Sequence, residues 1–279
     1  MPAEMLTIIQ PTPTPHVKHR DPMAAVAPWR PRADVPTPAD ATATLEEQVK
    51  SRYWYHTIEL PGGIVTEGEF DHRPLVPHYG LPEDLTGKSA LDVASFDGFW
   101  AFELERRGAQ VTSVDVGRIS SYDFPYAARR QLETEGLDRP HVPGFDIARR
   151  ALDSKVQRIT SNIYDLNPAD HGTYDFVHVA DVMLHLESPT RALRAVRSVT
   201  GDTAHIVDAC RVDFDEGESQ AVEYLGGWEV IVWWLPSLST LAQMVLDAGF
   251  RSVRLHAVYV LGRKYGDGGY HRAILVANV

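Results

Sequence analysis

Asp92, Asp97, Gly98 and Asp115 are the chemistry-bearing residues of the stretch 90–116. Ser95-Phe96-Asp97-Gly98 forms a tight turn after the apolar run 90–94 that carries Asp92, and Asp115 follows 17 residues after the glycine. A carboxylate that closes a buried strand can accept hydrogen bonds from both hydroxyls of a ribose, and a glycine in the turn lets a ligand approach the backbone. A pyrophosphate needs the barer G-x-G-x-x-G backbone at a helix N-terminus. Here Gly98 is the only glycine of the turn, and Asp92 and Asp97 would repel phosphate. The same acids suit a cation that carries an amino group. The chemistry favours S-adenosylmethionine over NAD, with a strand–helix–strand unit that binds nothing as the alternative.

Those residues need elements to hold them. Residues 90–94 read as a buried strand. Residues 99–107 read as a helix with Trp100, Ala101 and Leu104 on one side and Gly108 as its stop, and residues 111–116 as a second strand. Residues 145–154 are expected as a helix and 156–160 as strand three, with Asn162 and Ile163 at its end. Residues 174–180 are strand four, 189–199 a helix opened by Pro189, and 204–210 strand five. A helix over 236–249 and an antiparallel pair, 252–259 and 271–279, close the chain. The alternation predicts an α/β fold, a Rossmann-like doubly wound and mostly parallel seven-stranded sheet with an antiparallel C-terminal strand. Ligands bind beyond the carboxyl ends of such strands, which gathers Ala94, Ser95, Phe96, Gly98, Asp115, Val116, Asn162, Ile163, Ala180, Asp181 and His185 on one rim.

Composition narrows the partners. The 279 residues carry a formal net charge of −11 and 44% hydrophobic side chains. That charge disfavours a nucleic acid partner, whose phosphates need Lys and Arg. Cys210 is the one cysteine, so no intrachain disulfide forms, and a cytoplasmic setting is expected. No apolar run is long enough for a membrane span, and no cluster has metal-ligand spacing. Nine of the 19 prolines precede residue 40, so residues 1–40 are expected as an extended or disordered arm. Thr44 and Glu47 form a capping box that starts the ordered domain, 41–279, with an N-terminal cap over 41–85. Residues 117–144 and 211–235 read as irregular insertions that cover the substrate. The oligomeric state stays open, a homodimer included.

Roles follow from chemistry. Asp115 takes the ribose, and Asp92 either holds water or the ligand amine or has a purely structural role. Asn162 and Ile163 offer a hydrogen-bonding edge and an apolar face to adenine. Methyl transfer from a sulfonium needs positioning and, where the acceptor carries a proton, a base. His185 is the first candidate, with a loop-holding role as its alternative, and Asp181 is the second. Tyr122, His141, Tyr224, Trp228, Trp233 and Trp234 lie in the irregular segments and are expected to wall the acceptor pocket.

The run Leu91–Gly98, with Arg106-Arg107-Gly108-Ala109 and Val114-Asp115, resembles motifs I and II of class I S-adenosylmethionine-dependent methyltransferases. Residues 54–60 and 62–66, Val182-Met183-Leu184-His185-Leu186-Glu187-Ser188-Pro189 and Trp233-Trp234-Leu235-Pro236-Ser237 resemble a bacterial subgroup. That subgroup is related to the tRNA wobble-uridine carboxymethyltransferases and includes many small-molecule methyltransferases. The resemblance spans roughly residues 45–279 and implies that Tyr53 and His56 close over the cofactor. Leu184 stands where the wobble-uridine enzymes commonly carry tyrosine or another polar residue, and the chain lacks a basic RNA-facing signature. The resemblance therefore implies methyl transfer to an oxygen or nitrogen of a small molecule, in secondary metabolism. A tRNA-modifying enzyme and a non-catalytic S-adenosylmethionine-binding protein are the alternatives.

Overall fold

The protein was analysed as a computed structural model, which describes residues 43–136, 138, 140–141, 144–215, 220–229, 232–260, 262 and 270–279. The expected proline-rich arm lies outside them. Helix α1 (Leu45–Lys50) opens on the capping box: the Glu47 N–H donates to the Thr44 hydroxyl at 3.3 Å, and the Thr44 N–H donates to the Glu47 carboxylate at 2.8 Å. Residues 53–60 look strand-like in sequence; β1 (Glu59–Leu60) pairs with β2 (Ile64–Val65), and upstream, among the described residues, only a single bridge forms, between His56 and Phe70. Tyr55 and His56 give their N–H groups to a side chain, Asp97, instead of to a neighbouring strand.

The main domain then runs β3 (Ser89–Val93), α2 (Phe99–Arg106), β4 (Gln110–Asp115), α3 (Tyr126–Thr134), α4 (Phe145–Ala151), β5 (Gln157–Thr160), α5 (Pro168–His171), β6 (Tyr174–Ala180), α6 (Pro189–Val199), β7 (Thr200–Cys210), β8 (Val222–Glu229), β9 (Val232–Pro236), α7 (Leu238–Asp247), β10 (Ser252–Val260) and β11 (His271–Asn278). The seven-stranded sheet has the order β10-β11-β7-β6-β3-β4-β5. Strands β3 to β7 pair in parallel, and β11 is antiparallel to both β7 and β10. This is the predicted doubly wound sheet. Its direction of winding reverses between β3 and β6, the switch point outside which such sheets bind ligands.

Side chains alternate across the sheet. Ala90 and Phe176 face one core with α2, α4 and the N-terminal cap, whereas Leu91, Val93, Val177 and Val179 face another with α6 and α7. Helix α6 shows why it docks: Ala192, Leu193, Val196 and Val199 are all fully buried on one stripe. Burial of each Leu or Val of that stripe stabilises the fold by about 1.5–3 kcal/mol. On the cap side, the Tyr79 ring stacks on Trp100 with centroids 3.9 Å apart.

Two segments expected to be irregular contain regular structure. Residues 117–144 carry α3, and residues 211–235 carry the antiparallel hairpin β8–β9. The hairpin forms because Val232, Trp233 and Leu235 bury against the domain, which a short two-stranded ribbon needs for stability.

Candidate functional site

The turn after β3 departs from the glycine-rich pattern in composition but not in shape. Ala94 (φ +58°) and Phe96 (φ +50°) hold left-handed backbone that glycine adopts freely, at about 1–2 kcal/mol each. That shape aims a row of N–H groups at the end of β4. Ala94 and Ser95 donate to the Val114 carbonyl at 2.9 and 3.3 Å, and Phe96 donates to Asp115 Oδ2 at 2.8 Å. Ala94→Gly should therefore raise the thermal midpoint by about 1–3 °C, relief of strain outweighing the added freedom of the unfolded chain. A lower midpoint in a calorimetric scan would mean the turn is not strained.

Gly98 (φ +92°) also has a packing role. A Cβ there would stand 2.6 Å from the Phe145 ring and 2.8 Å from Phe102. The glycine lets α2 pack against α4.

Asp97 differs from expectation. It is fully buried, and both of its oxygens are engaged within the protein. Its Oδ2 accepts the N–H groups of Tyr55 and His56 at 2.8 and 2.9 Å, and its Oδ1 bonds His56 Nδ1. His56, expected to close over the cofactor, is a buried pillar stacked on Phe99. Tyr53 does reach the turn: its ring meets Phe96 edge-on at 6.2 Å, and its hydroxyl bonds Glu69.

Asp115 ends β4 beneath the turn. Its Oδ1 accepts the Val116 N–H at 2.8 Å, and its Oδ2 accepts that of Phe96. An ionised carboxylate has about four acceptor directions, so two remain for hydroxyl groups. Tyr122 and His141, expected at the acceptor pocket, gather here instead. His141 Nε2 lies 3.6 Å from Asp115 Oδ2, its ring packs on Phe96 with centroids 5.0 Å apart, and Tyr122 Oη lies 3.0 Å from His141 Nδ1. They stand at Asp115 because the insertion folds back on itself: the His141 N–H donates to the Gly117 carbonyl at 2.9 Å, and Arg118 bridges Pro140. At the end of β5, Asn162 Oδ1 accepts the Tyr164 N–H, while Ile163 is buried in the core under α6.

Asp92 lies one layer deeper. Its Oδ1 bonds His178 Nδ1 at 2.7 Å, and His178 Nε2 lies 3.0 Å from the Tyr79 hydroxyl. Its Oδ2 and the Ser95 hydroxyl are buried with no partner. Buried polar atoms are normally satisfied. Two unsatisfied oxygens beside the turn fit a ligand that brings N–H or O–H donors, as the amino end of S-adenosylmethionine does. The Asp115 carboxylate at the end of β4, with acceptor directions left for hydroxyl groups, fits the same molecule.

Beyond β6 the rim changes character. Ala180 ends the strand, and Asp181 follows with φ +51°. Asp181, expected as a possible base, is committed elsewhere: its Oδ1 accepts from Arg272 Nε at 2.6 Å, and both side chains are nearly buried. Asp208, a residue that sequence reasoning missed, accepts the N–H groups of Val182, Met183 and Leu184 at 3.0, 2.6 and 3.2 Å. Burial and the neighbouring Asp181 charge push its pKa up to about 7, against the pull of those amides. The turn it holds, Met183–His185, carries His185 half-buried at the rim. A lone acid inside the apolar run 204–210 was the available signal.

The hairpin leans on the same loop. Trp233 Nε1 donates to the Asp123 carbonyl and Trp234 Nε1 to the Glu187 carbonyl. Asp123 Oδ2 accepts from the Tyr164 hydroxyl at 2.7 Å and from the Glu187 N–H at 2.6 Å. Tyr224 packs on Trp234 but is 59% exposed, on the outer side of the hairpin. Trp228 falls in β8, and its side chain lies outside the described residues.

Comparison with known proteins agrees with this geometry. A family model described as a methyltransferase domain matches residues 73–255, well over half of the chain. A tRNA U34 carboxymethyltransferase of Marinobacter nauticus is 27% identical over 183 residues, 65% of this chain and 48% of that protein. A ubiquinone biosynthesis O-methyltransferase of Vibrio parahaemolyticus is 28% identical over 166 residues, 57% of each. The chain thus spans about half the length of the curated relatives it matches. Among solved structures, the N-terminal domain of EvdMO1, crystallised with SAH and D-fucose, superposes with a TM-score of 0.58 at 14% identity, over 84% of this chain and 95% of that one. That likeness concerns the fold. The strand order, the turn tied to Asp115 and the family match together place the chain among the class I S-adenosylmethionine-dependent methyltransferases, to which it belongs.

Proposed function

We propose that the protein transfers a methyl group from S-adenosylmethionine to an oxygen or nitrogen of a small-molecule acceptor in secondary metabolism. One observation carries the reading: the ends of β3, β4, β5 and β6 bring the 94–98 turn, Asp115, Asn162 and the Asp181–His185 loop to one rim, with two buried oxygens there still lacking donors. The cofactor, when bound, supplies a methyl on a sulfonium that departs as a neutral thioether. The protein's own tasks are then to orient and to accept a proton. Asp115 holds the ribose, Asp92 Oδ2 and Ser95 Oγ receive the amino end, and Val116 and Asn162 border the adenine. His185 takes the acceptor's proton on its imidazole. Asp208 keeps the His185 turn in place, and the Arg272–Asp181 pair forms a rigid wall beside it.

Titration calorimetry with S-adenosylmethionine and its demethylated product should show binding. Asp115→Ala should weaken it about 10- to 150-fold, for a charged hydrogen-bond contact worth about 1.5–3 kcal/mol. Binding of neither compound by the wild type would end the proposal. Label transferred from methyl-labelled cofactor into a metabolite extract would identify the acceptor class.

The relative named as a tRNA U34 carboxymethyltransferase favours a second reading, an RNA substrate. The net charge of −11 weighs against it. That reading requires tRNA binding that falls steeply with salt, and a flat salt response in a filter-binding assay removes it.

A further inference from the structure

We infer that His141, oriented by Tyr122, is a cofactor-binding residue: one ribose hydroxyl of the bound cofactor bridges His141 Nε2 and Asp115 Oδ2. The inference rests on the reading of Asp115 as the ribose acceptor and adds a second, donating contact to it.

The geometry begins with a gap. His141 Nε2 and Asp115 Oδ2 are 3.6 Å apart, with both side chains almost wholly buried. That separation is too long for a direct N–H···O hydrogen bond, whose length is about 2.9 Å. It is the base of a triangle in which a third oxygen can stand about 2.8–2.9 Å from both atoms. A hydroxyl is suited to that place because it accepts from one neighbour while donating to the other. An ether oxygen could not donate to the carboxylate, and an ammonium could not accept from the imidazole.

Hydrogen placement supports the same assignment. Tyr122 Oη lies 3.0 Å from His141 Nδ1 and 3.3 Å from His141 Nε2, so it faces the imidazole between its two nitrogens, nearer Nδ1. Burial, with the Asp115 charge adding to it, raises the Tyr122 pKa well above the ordinary tyrosine value, so its hydroxyl keeps its proton and can donate. A neutral imidazole that accepts at Nδ1 carries its hydrogen on Nε2. The opposite tautomer would set an Nε2 lone pair against a carboxylate. With the hydrogen on Nε2, its neighbours are Tyr122 Oη at 3.3 Å and, across the gap, Asp115 Oδ2 at 3.6 Å, and a hydroxyl in the gap gives it the better-placed acceptor.

The scaffold holds this arrangement still. The His141 N–H is bonded to the Gly117 carbonyl, two residues beyond Asp115, so both partners are anchored at the same strand end. The Phe96 ring limits the imidazole on one side, at a centroid distance of 5.0 Å, while the Phe96 N–H occupies another acceptor direction of Asp115 Oδ2. The hydroxyl thus approaches Asp115 from the His141 side.

Calorimetry of the full chain with S-adenosylhomocysteine and its 2′-deoxy and 3′-deoxy analogues tests the bridge. His141→Ala should weaken S-adenosylhomocysteine binding about 3- to 10-fold, the loss of one hydrogen bond. The same substitution should leave unchanged the affinity for whichever deoxy analogue lacks the bridging hydroxyl. His141→Gln, whose amide retains a donor, should recover part of the loss, and Tyr122→Phe should weaken binding less than His141→Ala does. Unchanged affinity in His141→Ala overturns the inference and makes the ring a passive wall. Tighter binding overturns it too, because the ring would then be competing for the ribose position. In both cases Asp115→Ala still loses affinity, so the underlying reading survives. A wild type that ignores S-adenosylhomocysteine, or an Asp115→Ala variant that binds it normally, sinks the underlying reading and the inference with it.

Discussion

Asp97→Ala should destabilise the fold by about 3–5 kcal/mol, the usual consequence of removing one member of a buried polar pair. The substitution strands three donors at once. The N–H groups of Tyr55 and His56 lose their acceptor, and His56 Nδ1 loses its partner, all inside the cap interface where water does not reach. Each buried unsatisfied donor costs about 1–3 kcal/mol. Thermal midpoints should drop by about 6–20 °C, at about 2–4 °C per kcal/mol for a chain of this size. Asp97→Asn, which keeps one accepting oxygen, should fall between. Urea titration reads the effect directly, and a loss below about 1 kcal/mol would show that the cap does not depend on this carboxylate. The effect should spread to the cofactor site, because the same segment carries Tyr53, whose ring packs on Phe96.

Arg272→Met should cost about as much, about 3–5 kcal/mol, and for a related reason. Arg272 and Asp181 are 91 positions apart, and their side chains are 6% and 10% exposed. Without the guanidinium, Asp181 holds an uncompensated charge beside buried Asp208. Combining Arg272→Met with Asp181→Asn removes that charge while keeping a residue type that tolerates the positive φ at position 181, so the double variant should regain most of the stability. A double-mutant cycle by chemical denaturation measures the coupling. Strictly additive losses would mean that the two side chains stabilise the rim independently.

Both outcomes depend on contacts between residues far apart in the chain, and this distance marks how far the sequence could be read. Residues 174–180 and 189–199 match β6 and α6 to the residue, because a buried strand and an amphipathic helix each impose their own short-range period. Asp115 was legible for the same reason: a strand–turn–helix–strand unit places the end of its second strand beside its turn whatever else the chain does. The hairpin β8–β9 was not legible, since its strands become strands by burying Trp233 and Leu235 against a loop and insertion elsewhere in the chain.

Side-chain roles divided along the same line. By type alone, Asp97 and Asp92 were both acids near a cationic ligand. The structure turns Asp97 toward Tyr55 and His56, and leaves only one oxygen of Asp92 unpaired. Gly98 was a turn glycine in either reading, and the Phe145 ring gives it a packing role as well. Residue type and short-range period therefore determined the α/β class, the parallel core strands and the acid at the end of the second strand. Tertiary structure alone decided which acids face inward, that His141 meets Asp115, and that Arg272 occupies Asp181. Periodicity extends over one element, whereas the partner of a buried charge is set by strand order and by loops that return across dozens of residues.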